Sequence, residues 1–371
     1  MNVKTLKRSN VQTLNVAYFI SPHGFGHAAR ASAVMAALRE IEPRVHFEIF
    51  THVPRWFFEE SVADPFTYHS LVTDIGLVQE TALREDIGKT VESLDRFLPF
   101  DARLIERLAR HVAQSSCRLV LCDIAPMGIA VAQAAGLRSV LIENFTWDWI
   151  YQAYARAAPR IKEHAAYFRY FSRAADYHIQ TEPICEPRAA DLQTTPASRA
   201  PRISRSRTRK NLGIPPSAKV VLITMGGIPG EYQFLQRLEA QRGVTFVVPG
   251  GSPTVERSGN LVLLPHHSTF FHPDLVAACD AVIGKLGYST VAEAYHAGLP
   301  LAYVARPGFR ESARVAPFVN AKMHGMEIRP AAFQNGDWLD QLPDLLARPR
   351  IRRTETNGAI QTARFISRLL K

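Results

Sequence analysis

Apolar positions along the chain fall into two recurring patterns. Short apolar runs at 16–20 and 119–122 have the length of strands buried on both faces, further strands are expected at 45–50 and 138–143, and a weaker one lies at 68–72. Between them, apolar residues at helical spacing predict helices over 28–38, 90–114, 127–135 and 150–171. The alternation restarts after residue 213. Strands are expected at 219–225, 244–248, 261–264, 280–283 and 301–304, with helices over 231–241 and 291–297 and a terminal amphipathic helix over 359–370. Strand–helix alternation predicts parallel sheets covered by helices, and its restart predicts two successive doubly wound α/β units.

Composition divides the two units. Residues 187–216 turn to Arg, Ser, Thr, Pro and Ala, with few large apolar side chains. The expected organisation is a first domain over 1–188, a basic interdomain linker over 189–213, a second domain over 214–350, and a segment 351–371 whose helix returns to the first domain. The length of 371 residues suits two such domains.

Bulk properties narrow the function classes. A chain that is 47% hydrophobic and 21% charged reads as a soluble globular protein, with no apolar run long enough to cross a bilayer. The basic N-terminus lacks the shape of a signal peptide, so a cytoplasmic location is expected. Cys117, Cys122, Cys185 and Cys279 have neither C-x-x-C nor zinc-site spacing. Much of the +10 net charge lies in Arg199, Arg202, Arg205, Arg207, Arg209 and Lys210 and at 348–353. No aromatics interleave with the first run, so no nucleic-acid partner is expected. A solvated linker, or a basic face for a phosphorylated ligand or for peripheral contact with an anionic inner membrane surface, fits better.

The candidate chemistry sits in the turns. Ser21-Pro22-His23-Gly24-Phe25-Gly26-His27 joins the first strand to the first helix, where open α/β folds bind ligands. Gly24 to Ala29 fits the dinucleotide fingerprint G-x-G-x-x-G/A, but the acid that should end the second strand is missing, because Glu48 lies inside the run. In the other reading Gly24 and Gly26 let the backbone approach a ligand closely, and Phe25 between them is a candidate contact for the acceptor or a phosphate. His27 is then a neutral imidazole on the first helical turn, able to take a proton. The structural alternative for His27 is a cap or a packed ring. With strands ordered 3-2-1-4-5, Asp123 comes beside His27 and can orient and charge it. Arg30 suits a phosphate, the acceptor or plain solvent. In the loop 143–149, Asn144 and Trp147 are acceptor candidates, unless Trp147 and Trp149 simply anchor the next helix. In the second unit, Gly226, Gly227 and Gly230 can expose N–H groups to an anion, and Lys285 can meet a diphosphate. Glu293, one turn into a helix opened by Tyr288 to Thr290, can accept two hydroxyl protons or merely complement the helix dipole. No D-x-D metal motif occurs, and no metal or cofactor is expected.

The combination G-x-G-H-x-x-R at Gly24 to Arg30 and G-Y-S-T-V-x-E-A at Gly287 to Ala294 resembles the GT-B glycosyltransferase superfamily. Within it, the pattern is similar to the lipid II-forming N-acetylglucosaminyltransferase, the UDP-sugar hydrolase of pseudaminic acid synthesis and, above all, the glycosyltransferase-like N-terminal region of plant L-arabinokinase. The shared stretches include Asp74 to Gln79, Asp123 to Pro126, Asn144 to Asp148, Leu212 to Ile214 and Gly284 to Glu293. The galactokinase-like half of that plant enzyme has no counterpart here, so arabinose phosphorylation is not expected. The resemblance implies two Rossmann-like domains facing across a cleft, with the acceptor on the first and a nucleotide-sugar on the second. It also implies that Gly226 and Gly227 face the diphosphate, that Gly284, Gly287, Ser289 and Thr290 belong to the donor side, and that Glu293 holds the ribose diol. The expected activity is a metal-independent inverting transfer from a nucleotide-diphosphate sugar, UDP above others, to a hydroxyl acceptor with His27 as base. Nucleotide-sugar hydrolysis and non-catalytic nucleotide-sugar binding are the alternatives.

Overall fold

The computed structural model describes residues 13–63, 65–81, 83–226 and 233–371. The first half builds one sheet from β1 (Leu14–Ile20), β2 (Val45–Thr51) and β3 (Thr67–Ser70), continued after a small hairpin, β4 (Gln79–Thr81) and β5 (Arg84–Glu85), by β6 (Cys117–Asp123), β7 (Ser139–Glu143), β8 (Tyr177–Thr181) and β9 (Leu192–Thr194). Its order is β3-β2-β1-β6-β7-β8-β9, with every pair parallel. The helices are α1 (Phe25–Ile41), α2 (Arg55–Ser61), α3 (Ile87–Phe97), α4 (Ala102–Gln114), α5 (Pro126–Ala135), α6 (Trp147–Gln152) and α7 (Ile161–Arg173).

The second half repeats the plan. Its strands are β10 (Lys219–Thr224), β11 (Val244–Pro249), β12 (Glu256–Ser258), β13 (Leu261–Leu264), β14 (Ala281–Lys285), β15 (Leu301–Val304) and β16 (Met326–Glu327). They stand in the order β12-β13-β11-β10-β14-β15-β16, parallel except for the edge strand β12. Around them lie α8 (Arg205–Asn211), α9 (Leu235–Glu239), α10 (His272–Ala278), α11 (Tyr288–His296), α12 (Ser312–Lys322), α13 (Pro330–Asn335) and α14 (Leu342–Ala347). The chain then crosses back, and α15 (Gly358–Leu369) lays Ala359, Ala363 and Ile366 into the apolar cluster formed by α1 and one face of the first sheet.

The strand alternation follows the pleat. Val16, Tyr18 and Ile20 of β1 face α1 and α15, whereas Ala17 and Phe19 face the cluster that includes α5. Both faces are covered, which is why β1 reads as an unbroken apolar run.

Several expected elements change. The single helix over 90–114 is two helices, α3 and α4. Pro99 has no N–H to donate and forces Leu98 into an extended conformation (φ −115°, ψ 145°). The helix over 150–171 likewise divides into α6 and α7 around Pro159. Of the helix over 231–241, α9 occupies 235–239, while Gly227 and Gly230 lie outside the described residues. The stretch 189–213 is not a free basic linker. Its start forms β9 in the first sheet, and its end is α8, whose Arg205 and Arg209 both bond Asp280 (2.7 and 2.8 Å). The two crossing segments hydrogen-bond one another, Thr195 Oγ1 donating to the Thr356 carbonyl at 2.7 Å and the Gly358 N–H to that of Pro196 at 3.2 Å. A Cβ on Gly358 would lie 2.0 Å from the Thr195 carbonyl oxygen, so only glycine lets the segments approach this closely.

Candidate active site

The turn after β1 is shaped by Gly24, whose φ of 75° and ψ of −179° are open to glycine alone. It caps α1 and brings Phe25, Gly26 and His27 onto the first turn. A Cβ on Gly26 would meet nothing within 4 Å, so the helix terminus faces open space. Parallel pairing sets Ile20 opposite Asp123, and the end of β6 therefore lies under His27.

The geometry of the pair follows. His27 Nδ1 donates to Asp123 Oδ1 at 3.0 Å, since an ionised carboxylate can only accept. In the neutral ring this bond leaves the lone pair on Nε2, which has no protein partner among the described residues. Burial alone would raise the Asp123 carboxyl, but the Arg30 guanidinium and the His27 bond hold it below its ordinary range. Asp123 is thus an anion, 0% exposed, behind a nearly buried imidazole.

Arg30 is neither a surface residue nor a ligand contact, contrary to both expectations. It is fully buried, forks onto Asp123 through Nε (2.8 Å) and Nη2 (2.6 Å), and donates from Nη1 to Asn144 Oδ1 at 2.7 Å. Its cation lies 4.6 Å above the Tyr288 ring of the second domain. Asn144 is likewise consumed, because its amide donates to Glu311 Oε1 across the interface (3.0 Å). Trp147 is 0% exposed, with its ring edge-on to His23 at 5.0 Å and stacked on Tyr151. Neither can touch an acceptor; both are the floor of the site.

The two glycine turns open onto one cavity between the domains. Gly24, Phe25, Gly26 and His27 line it from the first domain, and Gly226, Lys285, Gly287, Ser289 and Thr290 from the second. Lys285 and Arg306 make this space cationic. Burial, and next Arg306, pull the Lys285 ammonium down to about 8. Arg306 is 5% exposed, and its Nε and Nη1 have no hydrogen-bond partner among the described residues. Its nearest carboxylate, Glu311, stands 3.8 Å away, and Phe309 lies under the guanidinium. His23 is kept neutral by its enclosure and by Arg306, His27 and Lys285. Its ring packs where a Cβ on Gly76 (φ 61°) would lie 2.6 Å from Nδ1. The N-terminus of α11, capped by Gly287, points its free N–H groups at the same space.

Beside this cavity runs an aromatic one, sharing Phe25, Gly226, Ser289 and Thr290. Its walls are Phe25, Trp56 and Phe57 from the first domain and His266 from the second, with Phe25 and His266 stacked at 5.4 Å. Flat rings of this kind suit a nucleobase or a sugar face.

Two donor-side expectations are corrected. Gly284 lies inside β14, where a Cβ would stand 1.8 Å from the Thr224 carbonyl oxygen, so it serves strand packing rather than ligand contact. Glu293 does not present a free carboxylate. Arg199 Nε and Nη2 hold Oε1 (3.0 and 2.9 Å) and His272 Nδ1 holds Oε2 (2.7 Å), leaving the group 4% exposed. Sequence reasoning missed Arg306, Trp56, Phe57 and His266. The available signal was position: Arg306 follows a buried strand at the carboxyl end of a parallel sheet.

No family model matches the chain. Over 340 residues it is 29% identical to L-arabinokinase of Arabidopsis thaliana, covering 88% of this chain but spanning only 31% of that protein's length. Among solved structures, the spinosyn forosaminyltransferase SpnP matches with a TM-score of 0.61 at 17% identity, covering 96% of this chain and 94% of its own. A UDP-glucosyltransferase from Polygonum tinctorium matches with a TM-score of 0.64 at 12% identity, covering 98% and 99%. At these identities the likeness establishes the architecture: the chain has the GT-B fold, two Rossmann-like domains facing across a cleft.

Proposed function

We propose that this chain is a glycosyltransferase that moves a sugar from a nucleotide-diphosphate donor to a hydroxyl acceptor, inverting the anomeric carbon, with His27 as general base. The observation that carries this reading is the His27–Asp123 bond of 3.0 Å behind a cavity whose far wall is cationic. In the proposed step, the acceptor hydroxyl loses its proton to His27 Nε2 as its oxygen attacks the anomeric carbon. The bond from that carbon to the phosphate oxygen breaks, and its electron pair leaves on the diphosphate. Asp123 stabilises the imidazolium that forms, while Lys285, Arg306 and the α11 N–H groups stabilise the charge on the leaving group without needing a metal. A single displacement gives inversion. UDP is proposed as the nucleotide because a structural neighbour is named as a UDP-glucosyltransferase.

The test is UDP release from a panel of UDP-sugars, with and without hydroxyl acceptors, by wild type and H27A. Wild type is expected to require an acceptor. H27A is expected to keep UDP affinity within a few-fold and to lose about two to four orders of magnitude in turnover. Full activity in H27A would end the assignment. Equal UDP release without acceptor would make water the acceptor and the enzyme a hydrolase.

A further inference from the structure

Glu48 is a carboxylate in the middle of β2, a strand otherwise buried and mostly apolar. A charge there is costly unless partners surround it. Three imidazoles do so. His69 Nε2, from β3, lies 2.7 Å from Glu48 Oε2, and His111 Nε2, from α4, lies 3.4 Å from the same oxygen. His46 Nε2 stands 3.8 Å from Oε1 and bonds Thr67 Oγ1 at 2.8 Å. None of these residues lines the interdomain cavities, so the proposed transfer chemistry makes no use of them.

We propose that Glu48, His69 and His111 form a binding site for a divalent transition metal of the zinc class. Two imidazole nitrogens and one carboxylate oxygen are a borderline-soft donor set suited to such ions rather than to Mg²⁺ or Ca²⁺. The three ligand atoms lie within 4.8 Å of one another. Tetrahedral bonds of about 2.0–2.1 Å set ligand atoms roughly 3.4 Å apart. The Glu48–His111 separation of 3.4 Å already fits, the Glu48–His69 contact of 2.7 Å has to open slightly, and the two imidazole nitrogens, no more than 4.8 Å apart, have to draw together. The rings are already oriented. His69 stacks on Phe50 at 4.4 Å, and His111 packs edge-on against both Phe50 and His69. Both ligand histidines meet the same carboxylate oxygen, Oε2, while Oε1 lies 3.8 Å from His46 Nε2. The His111 side chain is 42% exposed, which gives an ion a path in and leaves a coordination position to water. Each imidazole keeps one proton by carrying it on Nδ1 when Nε2 binds the ion. The site joins the edge strand β3, the inner strand β2 and helix α4, so the ion acts as a structural cross-link.

The test is titration of the untagged, chelator-treated full chain with Zn²⁺ by calorimetry, and with Co²⁺ by visible absorption. One equivalent of each is expected, with the strong absorption of tetrahedral Co²⁺ and a Zn²⁺-dependent rise in melting temperature. H111A, on the exposed helix, and H69Q should each weaken Zn²⁺ binding at least about 100-fold and abolish the melting shift. No uptake by wild type overturns the site, as does uptake that persists in both variants. Because the readouts are metal content, spectrum and melting, the result is independent of transferase activity.

Discussion

Lys285 illustrates a side chain kept at the edge of its charged range. Burial and Arg306 both disfavour its ammonium, which titrates near 8 rather than 10.5. A bound diphosphate supplies the missing anion and must raise that value, so binding takes up a proton above pH 8. A terminal phosphate is ionised well below this range and contributes no slope of its own. UDP affinity is therefore expected to be flat between pH 7 and 8 and to weaken above, approaching tenfold per pH unit, while K285M binds more weakly throughout and without the slope. Isothermal titration at pH 7 to 9.5 reads this directly, and a flat wild-type profile would contradict the role. At this scale the sequence disclosed the His27–Asp123 pair, because adjacent parallel strands bring their carboxyl ends together and both residues lie at such ends. It did not disclose Arg30, whose burial follows from the demand of a buried Asp123 for a countercharge. Periodicity in an Ala-rich helix carries no trace of that demand.

Elements were legible where periodicity alone decides them. The strands β1, β2, β6, β10 and β15 and the helices α1, α5 and α11 follow from apolar runs and helical spacing. The divided helices show local chemistry overriding the pattern, since Pro99 breaks a stretch whose leucines still share one face. The basic runs misled for a different reason. Arg209 donates to the Ala278 carbonyl near the end of α10, and Arg350 to the Ala277 and Cys279 carbonyls. Arg353 bonds the Tyr295 and Lys322 carbonyls at the ends of α11 and α12. These arginines satisfy helix carbonyls and oppose the negative ends of helix dipoles, so this part of the positive excess is spent inside the molecule rather than on an anionic partner. Helix α15 was legible as amphipathic, and its packing partner explains its weight. Ile366 is fully buried against the cluster that also holds α1, the helix bearing His27. I366A is expected to cost about 2–4 kcal/mol in urea unfolding with an unchanged slope. Loss below about 0.5 kcal/mol would mean that α15 is a loose appendage.

At the scale of the molecule, the cleft depends on side chains that tie the crossing segment to both domains. Arg199 does this most fully. Its guanidinium holds Glu293 of α11, donates to Ser61 Oγ of α2 at 3.1 Å, and lies over the rings of Phe57 and Phe271. The composition of 189–213 suggested a solvated spacer, and no local pattern marks Arg199 as one of the two buried arginines of its basic run, the other being Arg209. That choice is made by the acid on the opposite domain. Burial alone would raise the Glu293 carboxyl, but Arg199 and then His272 hold it below the ordinary carboxylate range, so the pair is ionic at neutral pH. A buried ion pair is weak evidence for net stability, yet removing one partner strands the other charge. R199A is therefore expected to destabilise by about 3–5 kcal/mol, E293A by a similar amount, and the double variant by clearly less than their sum. The double-mutant cycle in urea, with fluorescence and far-UV dichroism followed together, measures the coupling. A coupling of at least about 1.5 kcal/mol identifies Arg199 and Glu293 as the clamp that sets the two lobes, and hence His27 and Lys285, at their working separation. Strict additivity would remove that clamp and leave the crossing segments and α15 to hold the cleft.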